Sequence, residues 1–238
     1  MEPIVILGID GLEYDYVLRF DLKNLMQKTY GKTDLSEFEQ PRTMVIWSSI
    51  LAGKNMEKTI LSTKNLWQFK LKKEETFLKH FDNPLAIDLP GYNQDMEQHK
   101  KERRAMKDYL DKKISIEEYD KIVFDHHKRV KDVFFNTLDK GENDLIFVYF
   151  NAADVIGHMS FGIIPKMRII YKEMDDIAKS VKERGIEKLL IISDHGMKAI
   201  GRFGDHSDHG FWSLPFDAHL ENPKPMDFYN IILKMKDM

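Results

Sequence analysis

Three short apolar runs, Ile4 to Ile9, Leu145 to Phe150 and Leu189 to Ile192, each end against polar residues, and long stretches of helical spacing lie between them. Runs this short and continuously apolar describe strands covered on both faces. A fourth, Leu85 to Leu89, stops at Pro90-Gly91. Strands that alternate with helices imply an α/β fold whose mainly parallel central sheet is sandwiched by helices.

The intervening segments fit that frame. Apolar residues at helical spacing run from Tyr14 to Tyr30. Met44 to Ala52 reads as a short helix that starts near Thr43 and stops at Gly53. Gln94 to Leu138 is charged and helical in period, with a break near Ile114-Ser115, and Pro165 to Arg184 stops at Gly185. At about 100–200 residues per domain, a chain of 238 residues is one large domain or two small ones. We expect a single domain over 1–238.

Composition narrows the function. Thirty-six basic against 39 acidic residues leave a net charge of −3, without the basic excess that a nucleic-acid polymer requires. Cysteine is absent, which excludes disulfide scaffolds, thiolate metal sites and cysteine nucleophiles. The start MEPIVILGIDG lacks a basic leader, and no apolar run approaches the ~18 residues of a membrane span. The expectation is a cytoplasmic protein with no membrane partner.

Polar residues gather where the strands end. Asp10 follows the first strand, Asp154 and His158 stand four apart in DVIGH, and Asp194-His195 follow the last strand in SDHGM. His206 and His209 come next, in GDHSDHG. In open α/β sheets ligands collect outside the carboxyl ends of the strands, so these side chains should converge along one edge. Carboxylates and imidazoles are ligands for zinc, manganese and iron. Each residue alone has a plainer reading: Asp10-Gly11 as an Asx-turn, Asp154 and His158 as a hydrogen-bonded pair, Thr43 as a helix cap. Jointly, at the strand ends, they read as a metal site. At a helix N-terminus, Thr43 is alternatively a nucleophile facing a phosphate.

GIDG around Asp10, PRTMVIWSSILAG around Thr43, DVIGH, SDHGM and DHGFW stand in the order found in the alkaline phosphatase superfamily. The chain most resembles its type I phosphodiesterase/nucleotide pyrophosphatase family. The motifs cover the beginning and the last hundred residues. The stretch from Lys64 to Gly141 matches only loosely and reads as a small helical cap insertion.

The resemblance implies two divalent metal ions about 4 Å apart, usually zinc, otherwise manganese or iron. One would be held by Asp154, His158 and His209, the other by Asp10, Asp194, His195 and the Thr43 oxygen. His209 is chosen over His206 because His209-Gly210-Phe211 resembles the family's His-Gly-aromatic signature, which leaves His206 either to support a ligand from behind or to contact substrate. Asn65, with Asn55 as the fallback, would reach the phosphoryl oxygens. Thr43 would be the catalytic nucleophile in the hydrolysis of phosphodiester or pyrophosphate bonds, nucleotides among them, through a phosphothreonine. The implied partner is therefore a small phosphorylated substrate. Phosphomonoesterase activity, a phosphoglycerate mutase-like phosphotransfer and a catalytically inactive metal-binding protein are the alternatives.

The insertion has a further feature. Between His99 and Lys113 lie Lys100, Lys101, Arg103, Arg104, Lys107, Lys112 and Lys113 against Glu102, Asp108 and Asp111. Such a run is ordinarily a solvated helix face; the sharper reading is a basic cap that attracts an anionic substrate. His126-His127 reads as a packed or surface pair. Trp67, Tyr92 and Trp212 are core residues or stacking partners for a base.

Overall fold

The computed structural model describes residues 2–238. A six-stranded sheet runs in the order β2-β8-β5-β1-β4-β3. Its strands are β1 (Ile4–Ile9), β2 (Thr29–Lys32), β3 (Pro84–Ile87), β4 (Leu145–Phe150), β5 (Leu189–Ile192) and β8 (Phe211–Leu214). β1 pairs in parallel with β4 and β5, and β3 in parallel with β4. Within this sheet, antiparallel pairing is confined to β8 with β5 and β2 with β8. β6 (Met197–Ile200) and β7 (Phe203–His206) form a separate hairpin, which turns at Gly201 with φ 62°.

Two apolar layers explain why the central strands show no alternation. Val5, Leu7 and Ile9 face one core with Ile146, Val148 and Phe150; Ile4 and Ile6 face the other with Leu145, Phe147 and Tyr149. The first core is covered by α1 (Tyr14–Arg19), α5 (Ile116–Lys140), α6 (Ala152–Ser160) and α7 (Ile164–Glu183). The second is covered by α2 (Thr43–Ala52), α3 (Glu57–Leu61) and α8 (Phe228–Asp237). Both faces are covered there, so β1, β4 and β5 are buried along their whole length and carry no charged residue.

The helix expected over Tyr14 to Tyr30 ends at Arg19 and gives way to β2. Asp21 adopts φ 53°, and the buried Asp175 carboxylate accepts from the Asn24 and Leu25 amides. Those bonds hold a turn where helical spacing continues. The strand expected to reach Leu89 stops at Ile87, because Asp88 adopts φ 58°.

The segment 64–141, expected as a cap, is not set apart from the sheet: its strand β3 pairs with β4, and its helix α5 lays Tyr119, Val123, Val130 and Phe134 into the first core. Helix α4 (Met96–Leu110), with the short turns before it, is the part that stands over the strand ends. The break near Ile114-Ser115 is a capping box, in which Ser115 accepts from Glu118 N and the Glu118 carboxylate accepts from Ser115 N. No helix among the described residues is long and apolar enough to cross a membrane.

Candidate active site at the strand ends

A cleft of about 770 Å³ opens at the carboxyl ends of β1 and β4, and Asp10, Thr43, Asp154, His158 and His206 line it. Asp10 follows directly on β1. Ser193, just beyond β5, accepts from Leu12 N at 3.0 Å and so ties the loop after β1 to the loop carrying Asp194 and His195. Gly11, at φ 68°, lets the first loop press against α6.

Two groups of ligand-type side chains result. Asp10, Asp194 and His195 form one; Asp154, His195 and His206 form the other. His195 is therefore common to both. In the first, His195 Nε2 lies 3.3 Å from Asp10 Oδ1 and 3.4 Å from Asp194 Oδ2. In the second, Asp154 Oδ1 lies 3.3 Å from His158 Nε2 and 3.6 Å from His206 Nε2. The His195 and His206 rings stack at 3.6 Å.

The hydrogen bonds around these rings fix what they can do. His195 Nδ1 faces the Gly196 carbonyl at 3.0 Å and His158 Nδ1 the Gly204 carbonyl at 3.2 Å. A carbonyl only accepts, so each ring carries its proton on Nδ1 and turns the Nε2 lone pair toward the carboxylates. Acceptor then faces acceptor. Asp10 Oδ1, Asp154 Oδ1, both Asp194 oxygens and His195 Nε2 are buried without a hydrogen-bond partner. Orphaned atoms of this kind are costly, and a divalent cation satisfies several together. Three carboxylates and three imidazoles suit such an ion.

The electrostatics agree. Burial, with Asp194 and Asp154 close by, pushes the Asp10 carboxyl well above its usual range, although Tyr149 donates to its other oxygen. Burial also raises Asp194. Burial and the neighbouring His195 lower the His206 imidazole to about 4, so it stays neutral and able to ligate.

Thr43 occupies the first position of α2, and the cap position is Arg42, whose side chain makes no capping bond. The hydroxyl is thus not the helix cap that the local sequence favours. Thr43 lines the cleft together with Arg42 and Met44.

His209 is not in either group. Its Nε2 bonds Glu13 Oε1 at 3.1 Å and its Nδ1 bonds Asp208 at 3.0 Å. Glu13 also accepts from Met197 N and Ser207 Oγ, which clamps the β6–β7 hairpin to the start of α1. His206, at the end of β7, takes the place beside Asp154 and His158 expected for His209. The hairpin decides this, because Gly204 packs so closely on α6 that a Cβ there would lie 2.8 Å from Gly157 O. Asn65 is exposed and caps a single turn by accepting from Trp67 N, and Asn55 binds Glu37 O; neither lines the cleft.

Several lining residues escaped the sequence reading: Tyr149, Gln94, His99 and Glu102. Tyr149 sits at the end of β4, where the strand-end rule could have found it. Glu102 carried no such signal. It accepts from Asn151 at 2.7 Å, His126 at 2.7 Å and Gln98 at 2.9 Å, and His126 reaches Asp88 at 3.0 Å. This buried chain fastens α4 to the sheet edge. Burial drives the His126 imidazole down, but its bonds to Asp88 and Glu102 prevail and raise it to about 9. Trp212 is core, whereas Trp67 lines the cleft.

A mainly parallel α/β sheet with a carboxylate–imidazole centre at its strand ends defines the class. More particularly, the chain belongs to the type I phosphodiesterase / nucleotide pyrophosphatase family of hydrolases, whose sequence pattern matches residues 4–221. No curated protein sequence matches it. Among solved structures it is similar to murine ectonucleotide pyrophosphatase / phosphodiesterase 5, at 14% identity and TM-score 0.46 over 84% of this chain and 59% of that one. An inactive form of the murine protein in complex with AMP gives 13% and 0.48, over 85% of this chain and 59% of that one. The human counterpart gives 13% and 0.48, over 84% and 58%. The chain thus spans less than two thirds of the length of these proteins.

Proposed function

We propose that this chain hydrolyses small phosphodiesters or pyrophosphates, with Thr43 as nucleophile beside two divalent metal ions. The observation that carries the reading is the set of partnerless buried atoms on Asp10, Asp154, Asp194 and His195, in the neighbourhood of a threonine that starts a helix. One ion would be held by Asp10, Asp194, His195 and Thr43, and the other by Asp154, His158 and His206. Zinc or manganese suits these oxygen and nitrogen ligands. Bound there, such ions supply positive charge to the phosphoryl oxygens and lower the proton affinity of the threonine hydroxyl.

The protein's own groups do the rest. The uncapped first turn of α2 offers backbone N–H groups to the phosphoryl oxygens. Thr43 Oγ1 loses its proton to solvent and bonds to phosphorus, while the ester oxygen departs with its electron pair and takes a proton from water. A water molecule then attacks the phosphothreonine from the vacated side, freeing the phosphorylated product and restoring the hydroxyl.

The test is to strip the protein with a chelator, reload it with zinc or manganese, and compare bis(p-nitrophenyl) phosphate with p-nitrophenyl phosphate. Diester turnover should return with metal and exceed monoester turnover. Thr43→Ala should keep its metal and lose turnover. Full activity in that variant would remove Thr43 from the mechanism, and a preference for the monoester would favour a phosphomonoesterase.

A further inference from the structure

The basic run on α4 and the turn after it divides when folded. Lys100 pairs with Glu97 at 2.7 Å, and Lys113 pairs with Asp111 at 2.9 Å and Asp108 at 3.4 Å. Lys101, Arg104 and Lys112 do not line the cleft. Arg103 and Lys107, one helical turn apart, do. Among the described residues, neither has a carboxylate oxygen within 4.0 Å, nor has Arg42, which also lines the cleft. Arg103 lies 5.1 Å over the Trp67 ring, which holds the guanidinium at the cleft rather than in open solvent. Asp111, the acid at this end of the cleft, is already taken by Lys113.

A second observation points the same way. Gln94 is 8% exposed and lines the same cleft, yet its buried Oε1 has no hydrogen-bond partner. His99 Nε2, also buried and lining the cleft, has none either. A buried amide oxygen left without a protein donor in a cleft wall is a position for an N–H or O–H from a bound ligand or from water. The wall formed by α4 and the loop before it therefore offers cations for an anion and a hydrogen-bonding position for an N–H or O–H.

We infer that Arg103 and Lys107 form a second anion subsite in the cleft, so that the preferred substrate is a phosphodiester or pyrophosphate whose remote half bears another phosphate and a hydrogen-bond donor. This rests on the phosphate-ester reading and adds the substrate class to it. The scissile phosphate lies with Thr43, and the second phosphate with α4. The two cations act on binding rather than on the bond-breaking step, since neither belongs to the ligand groups around Thr43.

Calorimetric titration of manganese-loaded protein tests the subsite apart from turnover. The probes are two pairs: ribose 5-phosphate with ribose 1,5-bisphosphate, and 5′-AMP with adenosine 3′,5′-bisphosphate. At least one bisphosphate should bind about tenfold more tightly than its monophosphate at low salt, and that gain should shrink as salt rises. Arg103→Ala/Lys107→Ala should bring the ratio close to one. Lys101→Ala/Arg104→Ala, outside the cleft, should leave it unchanged. Equal affinities within both pairs, no binding of any probe, or a ratio preserved in the Arg103/Lys107 variant would overturn the subsite. Diester hydrolysis without a bisphosphate gain would leave the hydrolase standing and remove the subsite. A gain without hydrolysis would do the reverse.

Discussion

Gly11 and Asp154 pack so tightly that a Cβ on Gly11 would lie 2.8 Å from the Asp154 Cα and 2.9 Å from its Cβ. The contact joins the end of β1 to the first turn of α6, and so brings Asp10 and Asp154 to one cleft. Gly11 also holds φ 68°, a conformation open to glycine and strained for alanine. Gly11→Ala should cost about 2–3 kcal/mol of stability by combining backbone strain with overpacking. Thermal unfolding should show the loss, and metal titration of the folded fraction should show weakened binding.

His206 and His209 should separate cleanly. His206→Ala removes a side chain beside Asp154 and His158, and we expect metal content to fall from two ions toward one, with turnover lost. His209→Ala breaks the bond to Glu13 on the far side of the hairpin. It should keep both ions and lose about 1–2 kcal/mol, typical of a partly buried charge-assisted hydrogen bond. Elemental analysis and thermal unfolding of the two variants decide this. If His209→Ala loses an ion and His206→Ala does not, the assignment reverses.

Tyr149 donates to Asp10 from the end of β4 and orients that carboxylate. Loss of such a partner behind a metal ligand commonly weakens metal affinity about 10–100-fold. Tyr149→Phe should show a drop of that size in competition with a chromophoric chelator, while the circular dichroism stays that of the parent.

The chain Asp88–His126–Glu102 makes stability depend on pH. The folded His126 titrates at about 9 against about 6.5 in an unfolded chain. Its contribution is therefore complete below pH 6.5 and is lost as pH rises through 9. The effect is on the order of 3 kcal/mol. Urea midpoints measured from pH 6 to 10 should fall across that window, and His126→Gln should flatten the fall. An equal decline in the variant would assign it to other groups.

The order of buried strands and the acids that close them were legible in the chain itself. β1, β4 and β5 coincide with the apolar runs Ile4 to Ile9, Leu145 to Phe150 and Leu189 to Ile192, because burial on both faces leaves a continuous local signal. Asp10, Asp154 and Asp194 were identifiable from their places at the ends of those runs. What eluded local reading was held by long-range contacts. β2 depends on pairing with β8 across some 180 residues, and nothing between Tyr14 and Tyr30 announces that partner.

The sequence by itself thus determined the layering, the position of the helix that begins with Thr43, and the acids gathered along one edge. Only the tertiary structure decided that His206 stands at the centre while His209 serves Glu13. It also decided that Glu102 fastens α4 to Asn151, and that Arg103 and Lys107 alone of a long basic run meet the cleft. The reason is physical. Hydrophobic periodicity is written into neighbouring residues, whereas the meeting of two polar side chains depends on how segments far apart in the chain pack against each other.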